Sequence, residues 1–250
     1  LAFIRSAAPT YDEPVHLASG YSYLATGKYV MNIMDHPPLA EMADALPLLA
    51  YRPNIFSSHP YFTRGMVYHY GDLFLYQNAA PAEKLLNTAR IFSLFLWSGL
   101  LAFFVCFFAS RAVGPEAGAL SVVVFAFMPA FISNNALITT DAAPTVFYFG
   151  TFFLGYVFST LPVLSVAGRR NKTVKVLDSR RQYIYAVLAG LVTGLAMASK
   201  FSMFIIPPLL IAFWIGHNFL EPKMRLSRLL WYSAVYLAAA VLTLALVYKF

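Results

Sequence analysis

The stretch Ile91–Ser110, IFSLFLWSGLLAFFVCFFAS, decides the fold class because it carries no charged side chain. As a helix, its 20 residues cover about 30 Å at about 1.5 Å per residue, which is the thickness of bilayer hydrocarbon. The whole chain is 60% apolar and 12% charged, with a mean hydropathy of +0.64. Further apolar segments follow at 117–140, 142–168, 182–199, 201–220 and 229–248. The sequence therefore predicts an all-α, multi-pass membrane protein whose transmembrane bundle of about six spans occupies residues 91–250.

The orientation of the spans depends on Lys200. A single helix over 182–216 would run about 52 Å, so we expect the chain to turn near Lys200 and form two spans. Arg111 and the basic loops at 169–181 and 223–228 then share one side, which the positive-inside rule makes cytoplasmic. The formal net charge of +7 belongs to this loop pattern, so nucleic acid is not an expected partner. The opposite, extracytoplasmic side of the cell membrane receives Asp12, Glu13, Asp35, His36, Asp141 and Lys200.

Residues 1–90 are predicted to form the first extracytoplasmic loop. Two pieces, Pro14–Gly27 and Pro38–Tyr51, are too short to span and are interpreted as amphipathic interfacial helices. In the second piece, Glu41 and Asp44 fall on the polar side. Residues 51–81 are rich in aromatic side chains and form either an interfacial anchor or a wall over a substrate groove. The apolar N-terminus suggests the tail of an earlier span.

The acidic pair Asp12-Glu13 is followed by Pro14. One interpretation is a pair of carboxylates at a helix start, favoured by the helix dipole. The other is a carboxylate that acts as general base toward a hydroxyl acceptor. Adjacent residues diverge, so we expect one of the two acids to face the reaction and the other to bind substrate.

Three other polar groups fall on the same side of the membrane, and each has a structural and a functional interpretation. Asp35-His36 precedes Pro37-Pro38 and either stops a helix or presents His36 as a hydrogen-bond donor to a phosphate. Asp141 either caps the next helix or binds a metal or sugar hydroxyls. Lys200 either snorkels to the interface or neutralises a phosphate leaving group.

Taken in order, the motifs resemble the GT-C fold glycosyltransferases. The closest branch is family 39, the dolichyl-phosphate-mannose-protein mannosyltransferase-like group, which includes bacterial lipid A aminoarabinose transferases. The resemblance rests on Asp12-Glu13, His36-Pro37-Pro38-Leu39, Phe74-Leu75-Tyr76-Gln77-Asn78 leading to Ala89-Arg90, Thr140-Asp141, and Ser199-Lys200.

The resemblance implies an inverting enzyme that moves a sugar from a polyprenyl-phosphate donor to a hydroxyl acceptor. It makes Asp12 the catalytic base and Glu13 the neighbouring acid on the acceptor side. It assigns His36 and Lys200 to the lipid phosphate and matches Asp35 and Asp141 to the substrate site. It leaves a divalent metal, the sugar and the acceptor open.

The chain departs from that family in two respects. Many relatives carry a lysine after Pro-Pro-Leu, whereas Ala40-Glu41 follows here. The family also has further spans and often a C-terminal extracytoplasmic domain. The alternative function is therefore a non-catalytic, glycosyltransferase-like scaffold subunit that works with other membrane proteins.

Overall fold

The computed structural model describes residues 2–161, 163–167, 173–177, 179–222 and 224–248. The chain divides into two compact units, which are described separately. The first comprises Leu1–Val146 and Met197–Phe201, and the second comprises Phe147–Ala196 and Ser202–Phe250. Several basic loop residues that set the predicted orientation, within 168–172 and at 223, lie outside the described residues. The boundary predicted at residue 90 marks a membrane surface, so it stays a prediction.

The described residues of the first unit form helices and the loops between them, without a strand. A 3₁₀ turn, Leu46–Ala50, extends its third helix. Its helices are α1 Ala2–Ser6, α2 Glu13–Thr26, α3 Pro38–Ala45, α4 Pro60–Thr63, α5 Val67–Tyr76, α6 Ala82–Ala112, α7 Pro115–Ala126 and α8 Pro129–Asn135.

Helix α2 is the centre of the first unit. Pro14 suits its first turn, and Gly27, at φ 71°, ends it in the left-handed conformation. A Cβ on Gly20 would lie 2.0 Å from the carbonyl oxygen of Glu41, and one on Gly71 would lie 2.8 Å from the backbone of Pro14. Both glycines therefore allow α3 and α5 to pack directly on α2.

The polar side chains that were expected on the outer faces of the two short helices are buried, and the interfacial position of these helices stays a prediction. All residues from Glu13 to Tyr23 are buried, so α2 has no polar face toward water. In α3, Glu41 and Asp44 are each 1% exposed, although the sequence predicted that they lie on the polar, outward face of the helix. Polar partners from other parts of the unit lie inside and satisfy these carboxyl groups, which makes their burial tolerable.

Proline residues divide the next part of the chain. Helix α6 contains the charge-free stretch Ile91–Ser110 and begins earlier than predicted, at Ala82. Helices α7 and α8 meet at a 64° bend where Pro129 starts α8. The apolar segment 117–140 is therefore interrupted at Pro129.

The second unit holds the remaining elements. Helix α9, Ala142–Thr160, enters it from the first unit and leads into β1 Val163–Ala167 and β2 Thr173–Leu177. The strands pair antiparallel, with Val163 opposite Leu177. Helix α10 Ser179–Met197, a 3₁₀ turn at Phe201–Ile205, α11 Ile206–Leu220 and α12 Leu226–Tyr248 complete it. The expected all-α chain therefore gains one short hairpin, and the predicted span 142–168 ends at Thr160.

The core of the second unit combines aromatic packing with close helix contacts. The rings of Phe158 and Trp214 lie 4.3 Å apart, and the Trp214 indole donates to the carbonyl of Gly155 at 3.1 Å. Thr193 bonds the Tyr236 hydroxyl at 3.0 Å. Such small and hydroxyl-bearing residues at helix contacts are typical of bundles within membranes.

Within the described residues, four helical segments are long and apolar enough to cross a membrane: Ala82–Ala112, Ala142–Thr160, Phe201–Leu220 and Leu226–Tyr248. The bent pair α7–α8 makes five if it counts as one span. The predicted span 182–199 is not among them, because α10 starts with Arg180, Arg181 and Gln182. The chain is a helical membrane protein. The length and composition of its helices do not show how many of them cross the membrane, so the number of about six spans stays a prediction.

Candidate active site

Glu13 is fully buried and bound on both carboxylate oxygens. Arg90 donates from Nε to Oε1 at 2.8 Å and from Nη2 to Oε2 at 2.5 Å. The amides of Ile138 and Thr10 donate to the same carboxylate at 2.9 and 2.8 Å. Burial raises the pKa of Glu13, but these hydrogen bonds outweigh it and hold the pKa below its usual value.

The other donors of Arg90 bind the backbone that precedes α2. Its guanidinium reaches the carbonyls of Ala7 at 2.9 Å and Ala8 at 3.0 Å. Glu13 and Arg90 together therefore fix the loop into α2 against α6. The Glu13 side chain is 0% exposed, so the structure shows it holding the loop, and its contact with substrate stays a prediction.

Asp12 points the other way from its neighbour. It is exposed, takes the N-cap position of α2, and its side chain makes no capping hydrogen bond. Asp12 therefore lies at the helix start, where the helix dipole favours a negative charge, but it makes no capping hydrogen bond. The expected divergence of the two acids is confirmed, with Glu13 inside and Asp12 at the surface.

Tyr68 lies beside Asp12, and the sequence did not single it out. Its ring stacks on Tyr11 with centroids 4.6 Å apart. Partial desolvation and the negative charges of Asp12 and Asp35 raise the pKa of Tyr68. Asp35 is exposed, so both carboxylates flank one tyrosine at the surface. The only signal in the sequence was the aromatic content of residues 51–81.

His36 is the half-buried member of the cluster. Among the described residues, its Nδ1 atom is buried and has no hydrogen-bond partner. Burial lowers the pKa of His36, and the positive charges of His16 and Lys200 lower it further. The carboxylates of Asp35 and Asp12 act in the opposite direction without reversing the shift. Charged residues from three separate segments of the chain therefore act on the His36 ring.

Lys200 forms an ion pair with Asp141. The lysine is 33% exposed and the aspartate 69%, so water reaches both. The Leu39 amide donates to the Ala198 carbonyl at 3.0 Å, which holds the break before Lys200 against the start of α3. The helix predicted to break near Lys200 does break there, since α10 ends at Met197, and the two separate spans stay a prediction.

Asp141 also marks the start of α9. Its backbone carbonyl accepts from the amide of Thr145 at 3.2 Å and from the Thr145 hydroxyl at 2.7 Å. The carboxylate itself is turned to Lys200. The structure thus combines a helix-start position with an exposed acid, and the two interpretations of Asp141 remain compatible.

A buried set of polar side chains, His16, Glu41 and Asn32, lies on the inner side of His36. The ring of His16 meets that of His36 edge-on, with centroids 5.0 Å apart and an 81° angle. His16 Nδ1 lies 2.9 Å from Glu41 Oε1, and the Asn32 amide donates to the same oxygen at 2.6 Å. Burial raises the pKa of Glu41 despite these hydrogen bonds. Helical periodicity could not find this pair, because it does not show what a polar face contacts.

Asp44 is the second buried carboxyl group of α3. The indole of Trp97 donates to its Oδ1 at 2.7 Å. Burial raises the pKa of Asp44 to about 7, and the bond from Trp97 opposes that rise. This acid is part of the packing between α3 and α6 and does not reach the surface.

Residues 2–161, 179–222 and 224–248 contain no group of three metal-ligating side chains placed to hold a metal ion. No family model, curated protein or solved structure matches the chain. Function must therefore be argued from the chemistry of the cluster formed by Asp12, Asp35, His36, Tyr68, Asp141 and Lys200, here called the surface cluster.

Proposed function

We propose that the chain is an inverting glycosyltransferase of the GT-C type, similar to family 39. It would transfer a sugar from a polyprenyl-phosphate donor to a hydroxyl acceptor at the extracytoplasmic membrane surface. One observation carries the proposal: an exposed carboxylate, Asp12, shares a surface with a cationic side chain, Lys200, and both act on the imidazole of His36. Base and phosphate-binding groups are the two parts that this reaction needs.

Asp12 is the general base of the proposal. Its carboxylate accepts the proton of the acceptor hydroxyl while the hydroxyl oxygen attacks the anomeric carbon. The bond between that carbon and the phosphate oxygen breaks, and the polyprenyl phosphate leaves with its electron pair. The buried bonds between Glu13 and Arg90 support this role, because they hold the backbone next to Asp12 in place.

Lys200 and His36 act on the leaving group. The lysine ammonium stabilises the growing negative charge on the phosphate. The lowered pKa of His36 favours its neutral form, which supplies one N–H donor. Asp141 positions the lysine through their ion pair. The partly exposed side chain of Lys200 can turn from Asp141 toward a phosphate, or bind both, without a change in the backbone.

The lipid tail requires an apolar surface. The first unit has a groove of about 330 Å³ between α6 and the bent pair α7–α8. Its lining is almost wholly apolar and includes Phe95, Phe125 and Phe131. The outward side chains of α6, such as Phe95 at 67% exposure, are suited to hydrocarbon. We assign the tail to this side of α6, which keeps the phosphate at the boundary.

A transfer assay on the whole chain in lipid nanodiscs tests the proposal. Synthetic short-chain polyprenyl-phosphate mannose and polyprenyl-phosphate aminoarabinose serve as donors, with a mixture of serine peptides and lipid A as acceptors. We expect release of polyprenyl phosphate and a product of inverted anomeric configuration. No release from either donor, with a stable protein that purifies together with other membrane proteins, would favour the scaffold function instead.

A further inference from the structure

A cleft with both polar and aromatic lining lies in the first unit, and none of its residues belongs to the surface cluster. Its volume is about 400 Å³, within the roughly 300–1,000 Å³ of ordinary ligand pockets. Helix α5 and helix α4 form its walls. Its lining consists of Tyr61, His69, Asp72, Leu73, Tyr76 and Gln77.

The spacing of the α5 residues explains how they meet. Asp72 and Tyr76 are one turn apart, so they lie on one face of the helix. The opposite face carries Tyr70 and Phe74, both 0% exposed. The Tyr70 hydroxyl donates to the carbonyl of Ile55 at 2.6 Å. The cleft is therefore built on a helix that is fixed from behind.

The aromatic wall is held in place as well. The ring of Tyr61 lies 4.6 Å from that of His59 and 5.2 Å from that of His69, measured between centroids. The amide of Tyr61 also donates to His59 Nδ1 at 3.2 Å. Tyr76 is 57% exposed and presents a second ring at the same opening.

The polar groups of the cleft are free to bind. Within the part of the chain that the structure describes, the side chains of Asp72, Tyr76 and Gln77 make no hydrogen bond to protein. A carboxylate accepts, an amide both donates and accepts, and a phenol does the same. Free donors and acceptors beside aromatic faces match a ligand with many hydroxyl groups and an apolar C–H face.

We propose that this cleft binds a pyranose ring, with Tyr61 or Tyr76 against its C–H face and Asp72 and Gln77 bonded to its hydroxyls. A phosphate is disfavoured, because no lysine or arginine lines the cleft and Asp72 repels anions. The sugar comes either from a soluble glycan or from a glycolipid headgroup. The proposal does not depend on the transferase reaction, since it concerns binding alone.

Saturation-transfer NMR on the whole chain tests the proposal. The protein is placed in nanodiscs of phosphatidylcholine, because glycoside detergents would occupy the cleft. The probes are the methyl pyranosides of mannose, glucose, galactose and N-acetylglucosamine, with mannitol as an open-chain control. We expect at least one pyranoside to receive saturation while mannitol does not. A second arm adds a glucosyl diacylglycerol to the nanodiscs, and its competition with the soluble probe identifies a glycolipid source.

Variants then locate the binding. Asp72→Asn and Gln77→Ala are expected to weaken binding about tenfold, as loss of one or two hydrogen bonds should. Tyr76→Ala should do the same through lost ring contact. Tyr183→Ala, an exposed tyrosine of the second unit, is the matched control and should bind normally. The proposal fails if no pyranoside binds or if the three variants bind like the parent. It also fails if glycerophosphocholine binds in place of the pyranosides, because an aromatic anchor at the membrane interface would contact lipid headgroups.

Discussion

Arg90 and Glu13 form a fully buried, two-point ion pair across 77 positions of sequence. The pair joins α6 to the start of α2. Asp12 directly precedes Glu13 and lies at the surface. A buried pair of this kind is not evidence of net stabilisation over an apolar pair. Its consequence is geometric, since it determines which of two adjacent acids faces the surface.

Removal of one partner from this pair should destabilise the protein strongly. Arg90→Ala leaves the Glu13 carboxylate buried and unpaired, at a cost of about 3–5 kcal/mol. Arg90→Lys should recover part of that lost stability, because lysine keeps the positive charge but cannot bind both carboxylate oxygens through two nitrogen atoms. Thermal unfolding in nanodiscs measures the effect. Arg111→Ala, at an exposed position of α6, is the control, and an Arg90→Ala midpoint equal to it would contradict the assignment.

Asp44 should make stability fall as pH rises. Its folded pKa of about 7 lies above the ordinary value, so the folded state binds more protons between the two values. The stability gained by protonated Asp44 is complete below about pH 4 and is lost as pH rises toward 7. Asp44→Asn retains an oxygen for Trp97 and should flatten that part of the curve.

The measurement is the unfolding midpoint of parent and variant at intervals from pH 4 to pH 8. Glu41 has a raised pKa as well, so the parent curve alone does not isolate Asp44. The difference between the two curves does. Parallel curves across this range would show that Asp44 does not titrate differently in the folded state.

The pKa of His36 should respond to its charged neighbours in opposite directions. Lys200→Met removes a positive charge that lowers it, so the pKa should rise. Asp12→Asn removes a negative charge that raises it, so the pKa should fall further. Nuclear magnetic resonance of histidine-labelled protein follows the titration. Shifts of the same sign in both variants would place at least one of the two residues away from the ring.

The positive charge of Lys200 should matter for the donor phosphate because of its position. Lys200→Met is expected to lower kcat/KM for the lipid-linked sugar about 100-fold or more, since it removes the cation at the leaving group. Lys200→Arg should retain part of the activity. Lys28→Met removes the same charge from an exposed loop position and should leave kcat/KM unchanged. Equal effects of Lys200→Met and Lys28→Met would reduce the role of Lys200 to general electrostatics.

Local signals in the sequence predicted several features well. Pro14 and Gly27 mark the first turn and the end of α2, and Pro129 lies at the observed bend. The break at Lys200 followed from helix length alone. Each of these depends on a backbone property of one or two residues, which a sequence displays directly.

Burial of the polar residues could not be predicted in the same way. The spacing of Glu41 and Asp44 marks a polar face, but their partners, His16 and Trp97, come from other helices. Likewise, nothing near Glu13 indicates that Arg90 will bind it. The surface cluster was found in part, because the predicted membrane topology places most of its members on one side, while Tyr68 required the fold.

The most direct test of the account is the turnover of Asp12→Asn with a polyprenyl-phosphate sugar. The carboxamide keeps the shape of the side chain but cannot accept the proton, so transfer should fall about 10²- to 10⁴-fold. Donor binding and the unfolding midpoint should stay near the parent values, because Asp12 is exposed and does not hold the fold. Glu116→Gln, exposed at the start of α7, is the control. Near-normal transfer by Asp12→Asn would contradict the assignment of Asp12 as the base.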